Sequence, residues 1–150
     1  MIKREMYMSR IRPFIGGELV KVMTGMRRSG KSVMLELIKE ELVEIGVDPS
    51  SFISINFEDM RYDHLLTAKA LHEEVLHRAE TIDGKAYLFF DEIQEVSDWE
   101  KCVNSLRVTL DCDIYITGSN AKLLSGELAT YLGGRYVEFV IYPFSFAEFL

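Results

Sequence analysis

The chain has 150 residues, with 17 Lys and Arg against 24 Asp and Glu, giving a net charge of −7 and a pI near 5.0. An acidic whole argues against broad, non-specific nucleic-acid binding. An apolar share of 48% supports one packed core and is too high for disorder. The charge is uneven: residues 1–31 carry eight basic and two acidic side chains (net +6), and residues 32–150 carry nine basic and 22 acidic (net −13). A basic first fifth leaves room for one local anionic partner. The length suits a single domain, and no apolar run approaches the roughly 20 residues of a membrane helix. Lys3 and Arg4 are followed by no apolar stretch, so no secretory signal is read and a cytoplasmic protein is expected. Cys102 and Cys112 have no metal-like spacing and read as reduced structural thiols.

Strands and helices alternate along the chain. Residues 1–17 mix basic and apolar side chains and read as a short helix capping a sheet or as a segment packing on a base; nucleic-acid contact is the remaining option, unsupported by net charge. Residues 19–24 (LVKVMT) predict a strand, and 31–45 a helix with Met34, Ile38, Leu42 and Ile45 on one face. Gly46 is its expected C-cap and Asp48-Pro49 the turn after it. A strand at 52–57 (FISINF) and a helix from about Leu65 to Ala79 follow. Residues 86–90 (AYLFF) are a continuous apolar run, as in a strand buried on both faces. Ser97-Asp98-Trp99-Glu100 has capping-box spacing and starts a helix carrying Trp99, Cys102, Val103, Leu106 and Leu110. A strand at 113–117 (DIYIT), a weaker helix at about 120–131 and a strand at 136–142 complete the pattern. Alternation of this kind predicts a parallel sheet covered by helices on both faces. Ser145-Phe146-Ala147-Glu148 is a second capping-box match, about one turn before Leu150. One turn has little stability alone, so residues 18–150 are expected to be the front core of a longer protein.

Gly25-Met26-Arg27-Arg28-Ser29-Gly30-Lys31-Ser32 fits G-x-x-x-x-G-K-[ST], with a strand running in and a helix running out. Such glycines let backbone N–H groups curl around phosphate oxygens. Lys31 supplies a compact charge for the β- and γ-phosphates, and Ser32 a hydroxyl for Mg²⁺. The helix start aims its positive dipole end at the same anion. Arg27 and Arg28 either reach phosphate or an acidic neighbour, or are solvated loop charges.

Asp91-Glu92 closes the apolar run about 60 residues later. Parallel strands present ligand-binding groups at their carboxyl ends. Asp91 suits Mg²⁺, opposite Ser32, and Glu92 suits orientation or deprotonation of an attacking water. Gln94 and Glu95 read as surface residues. Thr117-Gly118-Ser119-Asn120 closes the next strand. Ser119 or Asn120 either bonds the γ-phosphate or the water, or simply caps a helix. Arg135 either stabilises transition-state charge, in its own site or a neighbour's, or pairs with a carboxylate.

The motifs GMRRSGKS (25–32), LFFDEIQ (88–94), ITGSN (116–120), LGGR (132–135) and PFSFAEFL (143–150) together resemble the AAA+ superfamily of P-loop ATPases. The chain most resembles a bacterial and archaeal group whose members continue into a C-terminal domain of unknown function. That resemblance implies a three-layer α/β/α sandwich with a parallel five-stranded sheet in the order 5-1-4-3-2. It implies ATP and Mg²⁺ as ligands, with Gly25 to Ser32 as the phosphate loop. Ser32 and Asp91 would be metal groups, Glu92 the water-activating residue, and Ser119 or Asn120 the sensor. It moves Arg135 towards an arginine finger. The expected activity is Mg²⁺-dependent ATP hydrolysis coupled to conformational change in a partner domain or protein; the expected partners are ATP, the C-terminal domain, and a second copy or a protein partner. The alternative is an ATP-gated switch without hydrolysis. A guanine-reading N-K-x-D element is absent, and a kinase would use Asp91 without the adjoining Glu92.

Overall fold

The computed structural model describes residues 2–26, 30–119, 123 and 132–142, with side chains from Glu5 onward. In chain order the elements are α1 (Ile2–Ile11), β1 (Val20–Gly25), α2 (Lys31–Glu44), β2 (Phe52–Asn56), α3 (Ala68–Ala79), β3 (Ala86–Asp91), α4 (Trp99–Thr109), β4 (Cys112–Gly118) and β5 (Tyr136–Ile141). The strands form one sheet in the order β2-β3-β4-β1-β5, and every pairing is parallel. This is the expected 5-1-4-3-2 order read from the other edge.

Side-chain alternation along the strands builds two cores. Val22, Leu88, Phe90, Ile114 and Ile116 pack with Leu71 and Val75 of α3 and Val103 and Leu106 of α4. Met23, Phe89, Tyr115 and Phe139 form the other cluster with α1 and α2, and Phe89 stacks on Tyr115 with centroids 5.1 Å apart. In α2 the buried line is Met34, Ile38 and Leu42. Ile45 departs from that expectation: it is the C-cap and is 67% exposed. Gly46 follows it, with its N–H on the Val43 carbonyl and that of Val47 on Leu42, which closes the helix end.

Within residues 1–17 the helix is α1, Ile2–Ile11, followed by a 3₁₀ turn at Arg12–Phe14. Tyr7, Met8 and Ile11 of α1 join the α2 cluster, and the Tyr7 hydroxyl accepts the Tyr142 N–H at 2.9 Å. Arg12 ties α1 to α2 through Glu5 and Glu41. Two helix starts differ from the expected ones. Chain from Met60 to Leu65 winds as a 3₁₀ turn, and α3 begins only after Thr67, whose hydroxyl accepts the Ala70 N–H. The capping box at 97–100 is not formed. The Ser97 backbone bridges to the Thr67 segment instead, so Asp98 becomes the N-cap in a left-handed conformation without a side-chain cap.

At the amino ends of β1 and β4, Lys21 and Asp113 form an ion pair with both side chains fully buried. Lys21 also donates to the Gly17 carbonyl at 2.8 Å. Asp113 accepts from the Gly16 N–H and the Tyr115 hydroxyl. Burial pulls the Lys21 ammonium below its usual range, while Asp113 opposes that shift. Asp113→Ala strands a buried cation and the buried Tyr115 hydroxyl, and should cost about 3–5 kcal/mol of stability. Urea denaturation checks this, and a loss below 1 kcal/mol would mean the pair is no more than a surface contact in effect.

Cys102 is buried and Cys112 half-buried, both as free thiols. Burial pushes their pKa up to about 12 and about 11, which keeps them protonated and unreactive. No helix among the described residues is long and apolar enough to cross a membrane. The expected helix at 120–131 is described only at Leu123, which is helical. Arg27, Arg28, Ser29, Asn120 and the capping box at 145–148 lie outside the described residues.

Candidate functional site

The carboxyl ends of β1, β3 and β4 meet at one point, because β4 lies between the other two. β1 ends at Gly25, where the chain enters the glycine loop, and Met26 stands 68% exposed. The loop returns at Gly30, the N-cap of α2, with φ at +96°. Glycine takes that left-handed conformation without steric cost. The first intrahelical bond runs from the Met34 N–H to the Gly30 carbonyl. The start of α2 therefore presents its leading N–H groups and its positive dipole end to the space between the strands.

Lys31 is only 3% exposed. Its ammonium donates to the Gly25 carbonyl at 3.1 Å and lies 3.4 Å from Glu92 Oε2. The Ser32 hydroxyl donates to Asp91 Oδ2 at 2.6 Å. Register places Phe90 against Ile116, so Asp91 and Thr117 come side by side at the next step. The buried Thr117 hydroxyl donates to Asp91 Oδ1 at 2.5 Å and accepts the Glu92 N–H at 2.9 Å. One threonine thus fixes both carboxylate residues. Glu92 itself sits at φ +57°, ψ +51°. That left-handed conformation is costly for a residue with a Cβ and turns the chain out of β3 at once.

An open groove beside the site is lined by Ser32, Glu36, Lys39, Ser54, Asn56 and Asp91. Among the described residues no three His, Cys, Asp or Glu side chains converge as a metal cage. What the site offers a cation is two hard oxygens, one neutral and one anionic, already 2.6 Å apart. That donor set fits Mg²⁺, which takes one or two protein oxygens and completes its shell with phosphate and water.

Ser119 follows β4 directly, half-buried, and its carbonyl accepts the Leu123 N–H at 2.9 Å. It adjoins the loop, since Gly118 pairs with Thr24 of β1. Arg135 is not brought to these residues. It is exposed and precedes β5, with its carbonyl bonded to the Val20 N–H at the start of β1. Gly25, where the glycine-rich segment begins, lies at the other end of β1, about 17 Å away at the usual strand rise.

Three features escaped the sequence reading. Thr117 reads in the sequence only as part of a polar strand end; its hydroxyl directly after Ile114-Tyr115-Ile116, where the strand closes, is the signal that marks it. Thr24, fully buried next to the loop, donates to Glu138 Oε2 at 2.7 Å and so ties β1 to β5. Gln94 is not a plain surface residue: its amide donates to Glu92 Oε1 at 2.7 Å, and its own Oε1 is buried.

A family model described as an AAA domain matches residues 18–150. The chain belongs to the AAA domain family. An uncharacterized protein of Haemophilus influenzae is 45% identical over 150 residues, covering all of this chain and 38% of the relative. One of Methanocaldococcus jannaschii is 42% identical over 134 residues, covering 87% of this chain and 28% of the relative. This AAA domain thus spans well under half the length of the curated relatives it matches. Among solved structures, AMPPCP-bound DnaA from Aquifex aeolicus superposes with a TM-score of 0.57 at 16% identity, over 89% of this chain and 44% of that one. That likeness concerns the fold: a five-stranded parallel sheet with flanking helices, of the AAA+ P-loop type.

Proposed function

We propose that this AAA domain binds ATP with Mg²⁺ and hydrolyses it to ADP and phosphate. The observation that carries the reading is the convergence of Lys31, Ser32, Asp91, Glu92 and Thr117 where the glycine loop meets α2. Binding falls to Lys31 and to the loop from Gly25 to Gly30, Met26, Arg27, Arg28 and Ser29 included. Ser32 and Asp91 would hold Mg²⁺, which when bound neutralises charge on the β- and γ-oxygens. Glu92 takes a proton from the attacking water as its oxygen bonds to the γ-phosphorus and the bridging oxygen leaves with ADP. Ser119 or Asn120 is the group at the γ-phosphate, supported for Ser119 by its place beside the loop.

Arg135 has no role in its own site on this reading. Its position at the opposite end of the sheet supports action towards a neighbouring copy. The coupled element is a further domain or a protein partner, and the greater length of the relatives supports the former. A cytoplasmic location would supply that substrate. Part of the early basic charge is used within the chain, since Arg12, Lys21 and Lys31 each face a carboxylate, so that charge need not imply nucleic acid.

Phosphate release from ATP, followed with the full-length protein, tests the proposal. Release should depend on Mg²⁺ and stop with excess chelator. ATP binding with no release above the uncatalysed background would favour the ATP-gated switch instead.

A further inference from the structure

Glu92 has two carboxylate oxygens with different neighbours. Oε2 lies 3.4 Å from the Lys31 ammonium, and Oε1 accepts the Gln94 amide at 2.7 Å. A triphosphate in the loop draws the Lys31 charge onto its own oxygens and leaves Oε2 without that partner. The Gln94 bond is untouched by the same event. We propose that Gln94 is a positioning residue for the hydrolytic base. It anchors Glu92 through Oε1, while Oε2 passes from Lys31 to the attacking water when ATP binds. The inference rests on the assignment of Glu92 as the base.

The local structure is built around this amide. Residues Ile93–Glu95 form a single 3₁₀ turn, pinned by the fully buried Ile93, which carries Gln94 back over the end of β4. There the sheet is notched to receive it. A Cβ added to Gly118 would fall 2.3 Å from Gln94 Oε1 and 2.5 Å from the Leu123 side chain. Gln94 Oε1 is buried with no hydrogen-bond partner among the described residues. An orphaned buried acceptor costs about 1–3 kcal/mol. A residue that only filled this space would avoid that cost as Met or Leu. The amide is explained by its other end, the donor that Glu92 needs. Charge-assisted bonds of this kind are short and directional, so one of them fixes a carboxylate that otherwise turns about its last torsions.

The test compares Gln94→Met, which keeps the shape and loses the donor, with Gln94→Glu and Glu92→Gln in the full-length protein. Single-turnover phosphate release and the affinity for a fluorescent ATP analogue are read on each. Gln94→Met should slow release by about tenfold to a hundredfold, the usual effect of misplacing a catalytic group, with affinity unchanged. Gln94→Glu, which sets a second carboxylate against Glu92, should slow release at least as much. Adding Gln94→Met to Glu92→Gln should cause no further loss, because the residue acts only through Glu92. Wild-type release by Gln94→Met beside a dead Glu92→Gln overturns the positioning role and leaves the base assignment standing. Loss of affinity and rate together makes Gln94 a packing residue and also overturns it. Full release by Glu92→Gln, or none by the wild type, brings down both.

Discussion

Glu92→Gln retains ATP binding and loses steady-state turnover by about 10²–10⁴-fold, the usual contribution of a positioned general base. The amide is isosteric and accepts the same backbone turn. Its nitrogen carries no lone pair able to take a proton from water. The effect on affinity has a definite sign. Without nucleotide, Glu92 Oε2 lies 3.4 Å from the Lys31 ammonium and competes with phosphate for it. Removing the carboxylate charge frees Lys31, so affinity stays equal or rises. Titration with ATP alongside a phosphate-release assay reads both quantities on one preparation. Turnover at the wild-type rate would falsify the role given to Glu92.

Lys31→Ala should weaken ATP binding by about tenfold to a hundredfold, as expected when one or more bonds to a charged group are lost. Two local consequences add to the missing charge. The Gly25 carbonyl loses a buried donor at 3.1 Å, and Glu92 loses its nearest cation. Both changes act at the point where the loop leaves β1, so the cradle is loosened as well as discharged. Isothermal titration calorimetry measures the loss directly. An unchanged dissociation constant would place the triphosphate somewhere other than this loop.

The five strands were legible in the sequence because apolar runs such as 86–90 are local patterns, and their alternation with helical periodicity carried the parallel sheet. What escaped depends on contacts between distant residues. Lys21 and Asp113 are 92 positions apart, and nothing local marks either as buried. Gln94 looks like a surface residue until β4 is laid beside it and Gly118 opens the space it occupies. The capping box at 97–100 was a sound local pattern defeated by a tertiary one, the bridge from Ser97 to Thr67. Arg135 was legible as a candidate but not in its position, since only the register of β5 on β1 shows that it stands before the strand's amino end, far from Gly25.

The left-handed turn at Glu92 sets the needs of the fold against those of the chemistry. A backbone at φ +57° is the place where glycine or asparagine would relieve strain, and neither can act as a base. A screen that rewarded heat resistance alone would therefore drift towards those residues and silence the protein while improving it. Engineering for robustness has to hold this one position fixed and seek its gains elsewhere, for instance on the exposed faces of α2 and α3.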